Sequence, residues 1–179
     1  MKNRLQELEE IQLDYELQKT TVKLLKTEFK KAQKGNQVSK QILNSEFSNE
    51  TLPALQTRME SVKQRIDDSA IFSMWVVFER TLVEYIIKII VLPSSVGTTA
   101  STDIQNAVSE KIRKEVDWWK VEDKLDLVKP LLTSNVVGKL KQIKKYRDWI
   151  AHRSSTSAPS KTNPNDIYRT LKDIIPLIS

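Results

Sequence analysis

The feature that most constrains the fold is the stretch from Ala70 to Ile90, which is apolar on nearly every side of a helix. A helix of this kind is either buried in a protein core or embedded in a membrane. Four charged residues interrupt it at close intervals: Glu79, Arg80, Glu84 and Lys88. Because charges inside a bilayer are costly, we expect the central core helix of a bundle and no membrane partner. Its excess apolar surface could also form part of a dimer interface.

Composition favours an all-α protein, since three glycines in 179 residues are accompanied by many Leu, Lys, Glu and Gln. The chain has no cysteine and one histidine, which excludes disulfides, thiolate nucleophiles and His-cluster metal sites within one chain. A carboxylate-only magnesium site stays open, but no acidic cluster stands out, and we expect no cofactor. The lack of cysteine is typical of a reducing cytoplasm. A net charge of +6 favours polyanionic partners.

The N-terminal third is predicted to be a separate helical arm, residues 1–48, in front of a bundle at residues 49–179. A helix from Lys2 to Gln33 carries two apolar stripes, which favours a helical hairpin or a coiled coil. Gly35-Asn36 stops this helix, and a short helix with Val38, Ile42, Leu43 and Phe47 follows. The arm either binds a partner or substrate, or packs on the bundle as extra helices. Its first residues lack the apolar core of a signal peptide. The stripes are Leu5-Leu8-(Gln12)-Tyr15-Val22-Phe29 and Leu13-Leu17-Leu24.

The bundle begins with a capped, proline-started helix at Ser48 to Pro53, which either runs unbroken to Val91 or bends near Asp67-Asp68-Ser69. Leu92-Pro93 ends it, and Ser94 to Ser101 is predicted to be a loop. Thr102 or Asp103 then caps a helix with an apolar stripe of Ile104, Val108, Ile112 and Val116.

Two tryptophans, Trp118 and Trp119, close that helix; at least one is expected in the core, and the alternative is a stacking platform for an unpaired base. Lys120 to Thr133 is predicted to be a short helix kinked by Pro130, with Leu125, Val128, Leu131 and Leu132 inward. After a loop from Arg153 to Asn163, Thr162-Asn163-Pro164 opens a final helix. Its docking residues are Ile167, Leu171, Ile174 and Ile175.

The stretch with the clearest chemical character is the helix that begins at Asn135 and ends near His152, the only histidine. From Lys139 to Arg153 it carries six cations against one carboxylate. Helical geometry puts Asp148 and His152 one turn apart on the same face, and Arg147 about 140° away from His152. A titratable imidazole, a permanently charged guanidinium and surplus positive charge suit a phosphodiester. The alternative is a solvated basic helix whose histidine caps its C-terminus.

Metal-free RNA cleavage needs a base for the ribose 2′-OH, an acid for the leaving 5′-oxygen and positive charge at the phosphorus. One imidazole can serve as base or acid, but it begins in only one protonation state. Because this chain has no second histidine, a catalytic site requires two copies that meet across a two-fold axis.

The segment Arg147-Asp148-Trp149-Ile150-Ala151-His152 resembles the R-x4-H motif of HEPN domains, small helical bundles that include many metal-independent endoribonucleases of toxin–antitoxin and antiviral systems. The resemblance covers about Thr51 to Ser179. It implies a homodimeric site with His152 as general acid or base and Arg147 on the phosphate.

The resemblance leaves the roles of the neighbouring residues to be predicted from their chemistry. Asp148 would orient the imidazole or pair with Arg147. Glu79 is a candidate buried partner of Arg147, or else forms an intrahelical or surface ion pair. Tyr146 and Trp149 pack the helix or flank a base. Sequence-independent attraction to the RNA backbone is expected from four further cations: Lys141, Lys144, Lys145 and Arg153.

The resemblance implies the first two of three possible functions, and the N-terminal helices suggest the third. The first is a homodimeric endoribonuclease that leaves 2′,3′-cyclic phosphate ends, with an antitoxin or defence-system protein as a further partner. The second is a non-catalytic HEPN-like module that dimerises and binds RNA or a nucleotide. The third is a helical interaction protein whose N-terminal helices recruit a partner.

Overall fold

The computed structural model describes residues 3–33, 45–46, 50–90, 99–152, 159–160 and 162–179. Every regular element in these ranges is helical, so the all-α prediction is confirmed. The described α-helices are α1 Arg4–Gln33, α2 Leu52–Ile90, α3 Thr99–Glu115, α4 Val121–Val128, α5 Ser134–His152 and α6 Pro164–Ile174. Short 3-10 helices follow α3, α4 and α6, at Val116–Trp118, Lys129–Leu131 and Ile175–Leu177. No helix within these ranges has both the length and the apolar character to cross a membrane.

Helix α2 forms the centre of the core, as its apolar sequence predicts. Its second half carries a face of fully buried side chains, Ile71, Trp75, Phe78, Leu82 and Ile86, whereas Phe72 and Ile89 on other sides are exposed. The other five described α-helices all contact it. Since each large apolar side chain contributes about 1.5–3 kcal/mol when buried, α2 holds the bundle together. The helix runs unbroken through Asp67-Asp68-Ser69.

Helix α1 packs along α2 through the first of its two apolar stripes. Leu8 and Tyr15 are buried in the same core cluster as α2, and Val22 and Phe29 are partly buried. The second stripe, from Leu13 to Leu24, is exposed. The N-terminal helix is therefore packed on the bundle and still presents an apolar face to solvent. The four apolar residues of the predicted short helix after it lie outside the described residues.

The predicted start of α3 is wrong. The helix begins at Thr99, inside the segment expected to be a loop, rather than at Thr102 or Asp103. Of its apolar stripe, Ile104 and Val108 are exposed, Ile112 packs on the core, and Val116 is buried in the 3-10 helix that follows. A four-residue spacing shows which side chains share a face of a helix, but not whether another element covers that face.

The connection from α3 to α5 agrees in part with the sequence. Trp119 packs against the core while Trp118 is 87% exposed, so the expectation of at least one core tryptophan is confirmed. Pro130 lies in the 3-10 helix that ends α4, and Leu125 and Val128 are buried. Leu131 was expected to point inward but is exposed, because it belongs to that 3-10 helix and not to the α-helical face.

The final helix α6 forms as predicted from its cap and proline. The Asn163 side chain accepts a hydrogen bond from the Asn165 backbone N–H at 3.0 Å, and Pro164 occupies the first turn. All four predicted docking residues are buried: Ile167, Leu171, Ile174 and Ile175. This packing holds the C-terminal end of the chain against α2, next to α1.

Candidate functional site on helix α5

Helix α5 carries the R-x4-H motif and begins at Ser134, one residue before the predicted start. Its buried face consists of Val137, Leu140, Ile143 and Tyr146. These side chains anchor the helix on the core and thereby fix which motif residues point inward and which point to solvent.

Arg147 lies at the edge of the buried face, and its side chain is 19% exposed. One terminal nitrogen is 3.1 Å from a Glu79 carboxylate oxygen, and the other is 3.1 Å from Asp148. The guanidinium carbon also lies 5.6 Å from the ring centre of Trp75. Its Nε is buried and has no hydrogen-bond partner. The guanidinium is therefore held by two carboxylates and an aromatic ring, and both of its terminal nitrogens are paired.

Glu79 and Trp75 hold Arg147 from helix α2, one turn apart on the same face. The Trp75 indole N–H donates to the same Glu79 oxygen that contacts Arg147, at 3.2 Å. The predicted pairing of Glu79 with Arg147 is thus present. Trp75 was not expected at the site, although its four-residue distance from Glu79 on a predicted helix was a usable signal.

Lys144 is held in a second charged contact next to the first. Its ammonium is 2.7 Å from Asp148 and 2.8 Å from Glu122 on α4. Hydrogen bonds to Asp148 and Glu122 raise the pKa of Lys144, and the bond from Lys144 lowers the pKa of Glu122. Glu122 had no sequence signal, because only the packing of α4 against α5 brings it to this position.

His152 is exposed at the last residue of α5. Two exposed cations of the same helix, Lys141 and Lys145, fall within about 20° of the direction of His152 when viewed along the helix axis. Arg147 points about 140° away, toward the core. The structure therefore groups His152 with these lysines, and groups Arg147 with Glu79 and Asp148.

The charge of α5 is smaller at its surface than the sequence count indicates. Arg147 and Lys144 meet three carboxylates, those of Glu79, Asp148 and Glu122. Their positive charge is thus balanced within the molecule. The cations that remain exposed on this helix are Lys139, Lys141 and Lys145. The outer face of α5, defined here by Lys141, Lys145 and His152, is a basic surface that a polyanion can reach.

Tyr146 packs the helix, the first of its two predicted roles. It is 2% exposed, and its hydroxyl donates to buried Asp68 at 3.1 Å and accepts from Gln64 at 3.2 Å. A similar contact joins Tyr15 of α1 to buried Asp67 at 3.1 Å. These two tyrosine–aspartate pairs attach α1 and α5 to α2. No local pattern in the sequence indicates that Asp67 and Asp68 are buried.

The rest of the predicted site divides as follows. Trp149 is partly buried and stacks at 5.7 Å from the Tyr146 ring, so it also packs the helix. Arg153 lies outside the described residues.

A groove of about 470 Å³ between α5 and α6 is lined by Lys139 and neighbouring residues, but Arg147 and His152 do not line it. Within the described ranges, no three imidazole or carboxylate side chains cluster as a metal site requires.

No protein-family model matches the chain, and no curated protein or solved structure is significantly similar to it. The resemblance to HEPN domains is therefore still a prediction from the six-residue motif and its position on the penultimate helix of a helical bundle.

Proposed function

We propose that this chain is a metal-independent endoribonuclease with a HEPN-like domain, active as a homodimer in a toxin–antitoxin or antiviral defence system. The observation that supports this function best is the exposure of His152 on the same face of α5 as Lys141 and Lys145. A solvent-facing imidazole beside two exposed lysines can meet both an RNA phosphate and a second copy of itself.

In the proposed reaction the ribose 2′-oxygen attacks the adjacent phosphorus and the bond from phosphorus to the 5′-oxygen breaks. One His152 takes the 2′-OH proton, while His152 of the second copy protonates the departing 5′-oxygen. The products are a 2′,3′-cyclic phosphate and a 5′-hydroxyl. Two imidazoles in opposite protonation states complete the proton transfer, so one copy alone lacks either the acid or the base.

Arg147 has a more specific role in this proposal than a free phosphate clamp. Glu79 and Asp148 are about equally exposed, but the Trp75 indole N–H also holds Glu79 in place, whereas Asp148 shares its carboxylate with Lys144. The phosphate therefore competes with Asp148 for one terminal nitrogen of Arg147 while Glu79 keeps the side chain in place. Lys141 and Lys145 attract the RNA backbone without regard to sequence.

The second candidate, a non-catalytic module that binds RNA, is favoured by a different observation. Both terminal nitrogens of Arg147 already contact carboxylates. A guanidinium that keeps both partners would stabilise the fold and leave the phosphorane without its neutralising charge. RNA would then bind to the outer face of α5 without being cut.

The test is cleavage of total RNA in EDTA by the purified chain and by His152→Ala. We expect cyclic phosphate ends from the wild type and no product from the variant, whose exposed side chain can be removed without loss of the fold. Full cleavage by His152→Ala would refute the mechanism. Salt-sensitive RNA binding without product in the wild type would select the second candidate.

The role of the outer face is tested with a charge-matched pair of variants. Lys141→Gln/Lys145→Gln should weaken RNA binding and lower the slope of log affinity against log salt by up to about 1.4, because each phosphate contact on a single strand contributes about 0.7. Lys111→Gln/Lys114→Gln removes two exposed lysines from α3 and should leave that slope unchanged. Equal effects of the two double variants would show that net charge, and not this face, governs binding.

A further inference from the structure

The outer stripe of α1, defined by Leu13, Leu17 and Leu24, is apolar and exposed although the opposite side of the helix is packed. These side chains are 69%, 67% and 62% exposed. Isolated exposed leucines are ordinary on protein surfaces. Three on one face of a single helix form an apolar row, and such a row indicates a surface that another helix covers.

The spacing of the outer stripe is that of a coiled-coil seam. Successive positions 13, 17, 20, 24 and 27 alternate steps of four and three and carry Leu, Leu, Thr, Leu and Thr. The residues packed on α2 recur every seven positions on the opposite side, from Leu8 to Phe29. Helix α1 thus presents one seam to its own bundle and a second seam outward.

The charges of α1 are divided between its two halves. Acidic residues are concentrated in the first half: Glu7, Glu9, Glu10, Asp14 and Glu16. Basic residues are concentrated in the second half: Lys19, Lys23, Lys26, Lys30 and Lys31. A copy of α1 laid antiparallel places acidic half against basic half, whereas a parallel copy places like charges together.

We propose that a second copy of this chain docks on the outer stripe of α1, with the two α1 helices antiparallel about a two-fold axis. Leu13 then lies opposite Leu24 of the second copy, and Leu17 opposite Thr20. This register pairs residue i with residue 37 − i, so that Arg4 faces Gln33 and the helices overlap over their whole length. The pairs from Leu13 to Leu24 are centred on the midpoint of the helix, as a symmetric pair requires, and Thr27 lies opposite Glu10.

The same antiparallel arrangement matches the charges on one flank of the seam. In an antiparallel coiled coil, each row of flanking residues meets the same row of the other helix. The row that precedes Leu17 and Leu24 consists of Glu9, Glu16, Lys23 and Lys30. Glu16 approaches Lys23 of the second copy and Glu9 approaches Lys30, each about 3 Å along the axis from the residue directly opposite, so two-fold symmetry gives four ion pairs. The other row places Glu7 near Glu28 of the second copy, so the second copy complements the apolar stripe and one of its two flanks.

This interface is independent of the proposed nuclease. It lies on α1, whereas the nuclease proposal brings together two copies of the outer face of α5. A chain that uses both two-fold interfaces assembles beyond a dimer. Failure of the α1 interface is distinguished from failure of the proposed nuclease by RNA cleavage, because variants in the outer stripe of α1 should change the mass of the assembly and leave cleavage intact.

The first test is the solution mass of the full chain by sedimentation or light scattering, from about 1 to 100 µM. Leu17→Glu/Leu24→Glu should halve the mass of the assembly and raise its dissociation constant more than about 100-fold, because charges replace the centre of the seam. The control Ile104→Glu/Leu177→Glu changes two other exposed apolar residues and should leave the mass unchanged. A monomeric wild type, or an unchanged mass in the α1 variant, would overturn the proposal.

Charge reversal tests the orientation. Glu16→Lys alone and Lys23→Glu alone should each weaken association about tenfold, because each puts two pairs of like charges across the seam. The double reversal Glu16→Lys/Lys23→Glu restores opposite charges in the antiparallel register and should recover wild-type affinity. A double reversal that is weaker than either single variant would contradict this register.

Distances between spin labels give a second measure of orientation, since the chain has no native cysteine. Labels at Gln18→Cys lie beside the two-fold axis and should be close together. Labels at Lys31→Cys should be about 37 Å apart along the axis, given 1.5 Å per residue. Short distances at both positions would indicate parallel helices and refute the antiparallel pair.

Discussion

Replacing Arg147 by alanine should destabilise the fold, in addition to any effect on activity. The substitution removes contacts to Glu79 and Asp148 and the stacking on Trp75. The carboxylates are about one-third exposed and can rehydrate, so each pair contributes nearer to the surface value of about 0.2–1 kcal/mol than to that of a buried pair. The aromatic contact adds about 0.5–2 kcal/mol. We expect a loss of about 2 kcal/mol in the free energy of unfolding.

The assay is urea unfolding followed by circular dichroism, with His152→Ala as the control on the same helix. His152 is exposed, so its replacement should change stability by less than about 0.5 kcal/mol. For a chain of this size, a loss of about 2 kcal/mol corresponds to a fall in Tm of about 4–8 °C. Arg147→Lys keeps the charge but loses the two-pronged contact. Its free energy of unfolding should therefore lie between those of Arg147→Ala and His152→Ala.

A double-mutant cycle identifies the source of the loss. Glu79→Gln combined with Arg147→Ala should show a coupling of about 1 kcal/mol if the ion pair is responsible. Equal stability of Arg147→Ala and His152→Ala would refute the reasoning. It would mean that the guanidinium is not held by α2. A loss of activity in Arg147→Ala could then be assigned to lost phosphate binding alone.

Two further predictions concern the packing around α5. Gly138→Ala should raise the free energy of unfolding by about 0.5–1 kcal/mol in urea titrations, because Gly138 is an exposed interior residue of α5 and an added methyl meets nothing within 4 Å; a loss of stability would contradict this. Burial first, and then the charge of a neighbouring aspartate, raise the pKa of both Tyr15 and Tyr146. The unfolded chain therefore releases these protons near pH 10 while the folded chain keeps them, so stability should fall as pH rises above about 10. Tyr15→Phe/Tyr146→Phe should flatten that fall above about pH 10, and an unchanged slope there would argue against the buried pairs.

The sequence predicted the elements whose signal is local. The apolar run of α2 excluded everything but a buried helix, and Asn163-Pro164 marked the start of α6 through a cap and a fixed backbone angle. The inner face of α6 followed from its spacing. In each case the residues that determine the structure lie within a few positions of one another.

The errors arose where a distant element decides the outcome. Ile104 and Val108 have the spacing of a packed face, yet nothing in the sequence shows that α3 meets the core only at its C-terminal end. Asp67 and Asp68 left a helix bend open as an alternative to a straight helix, and their burial depends in part on hydroxyls from two other helices, those of Tyr15 and Tyr146.

The candidate site shows the same division. The sequence placed Arg147 and His152 in different directions around α5, and burial agrees with this geometry. It overestimated the free positive charge, because Glu122 approaches Lys144 only through the packing of α4. The number of cations counted along a chain is an upper limit to the number that remain unpaired on the folded surface.

The central claim, that two copies of His152 act in one site, is tested most directly by mixing wild-type chains with His152→Ala chains in EDTA. After complete exchange at equal amounts, random pairing leaves about one quarter of the dimers with two imidazoles. RNA cleavage by the mixture should therefore fall to about one quarter of the rate of wild-type chains alone at the same total protein concentration. A fall to one half would show that each chain works alone and would contradict the composite site.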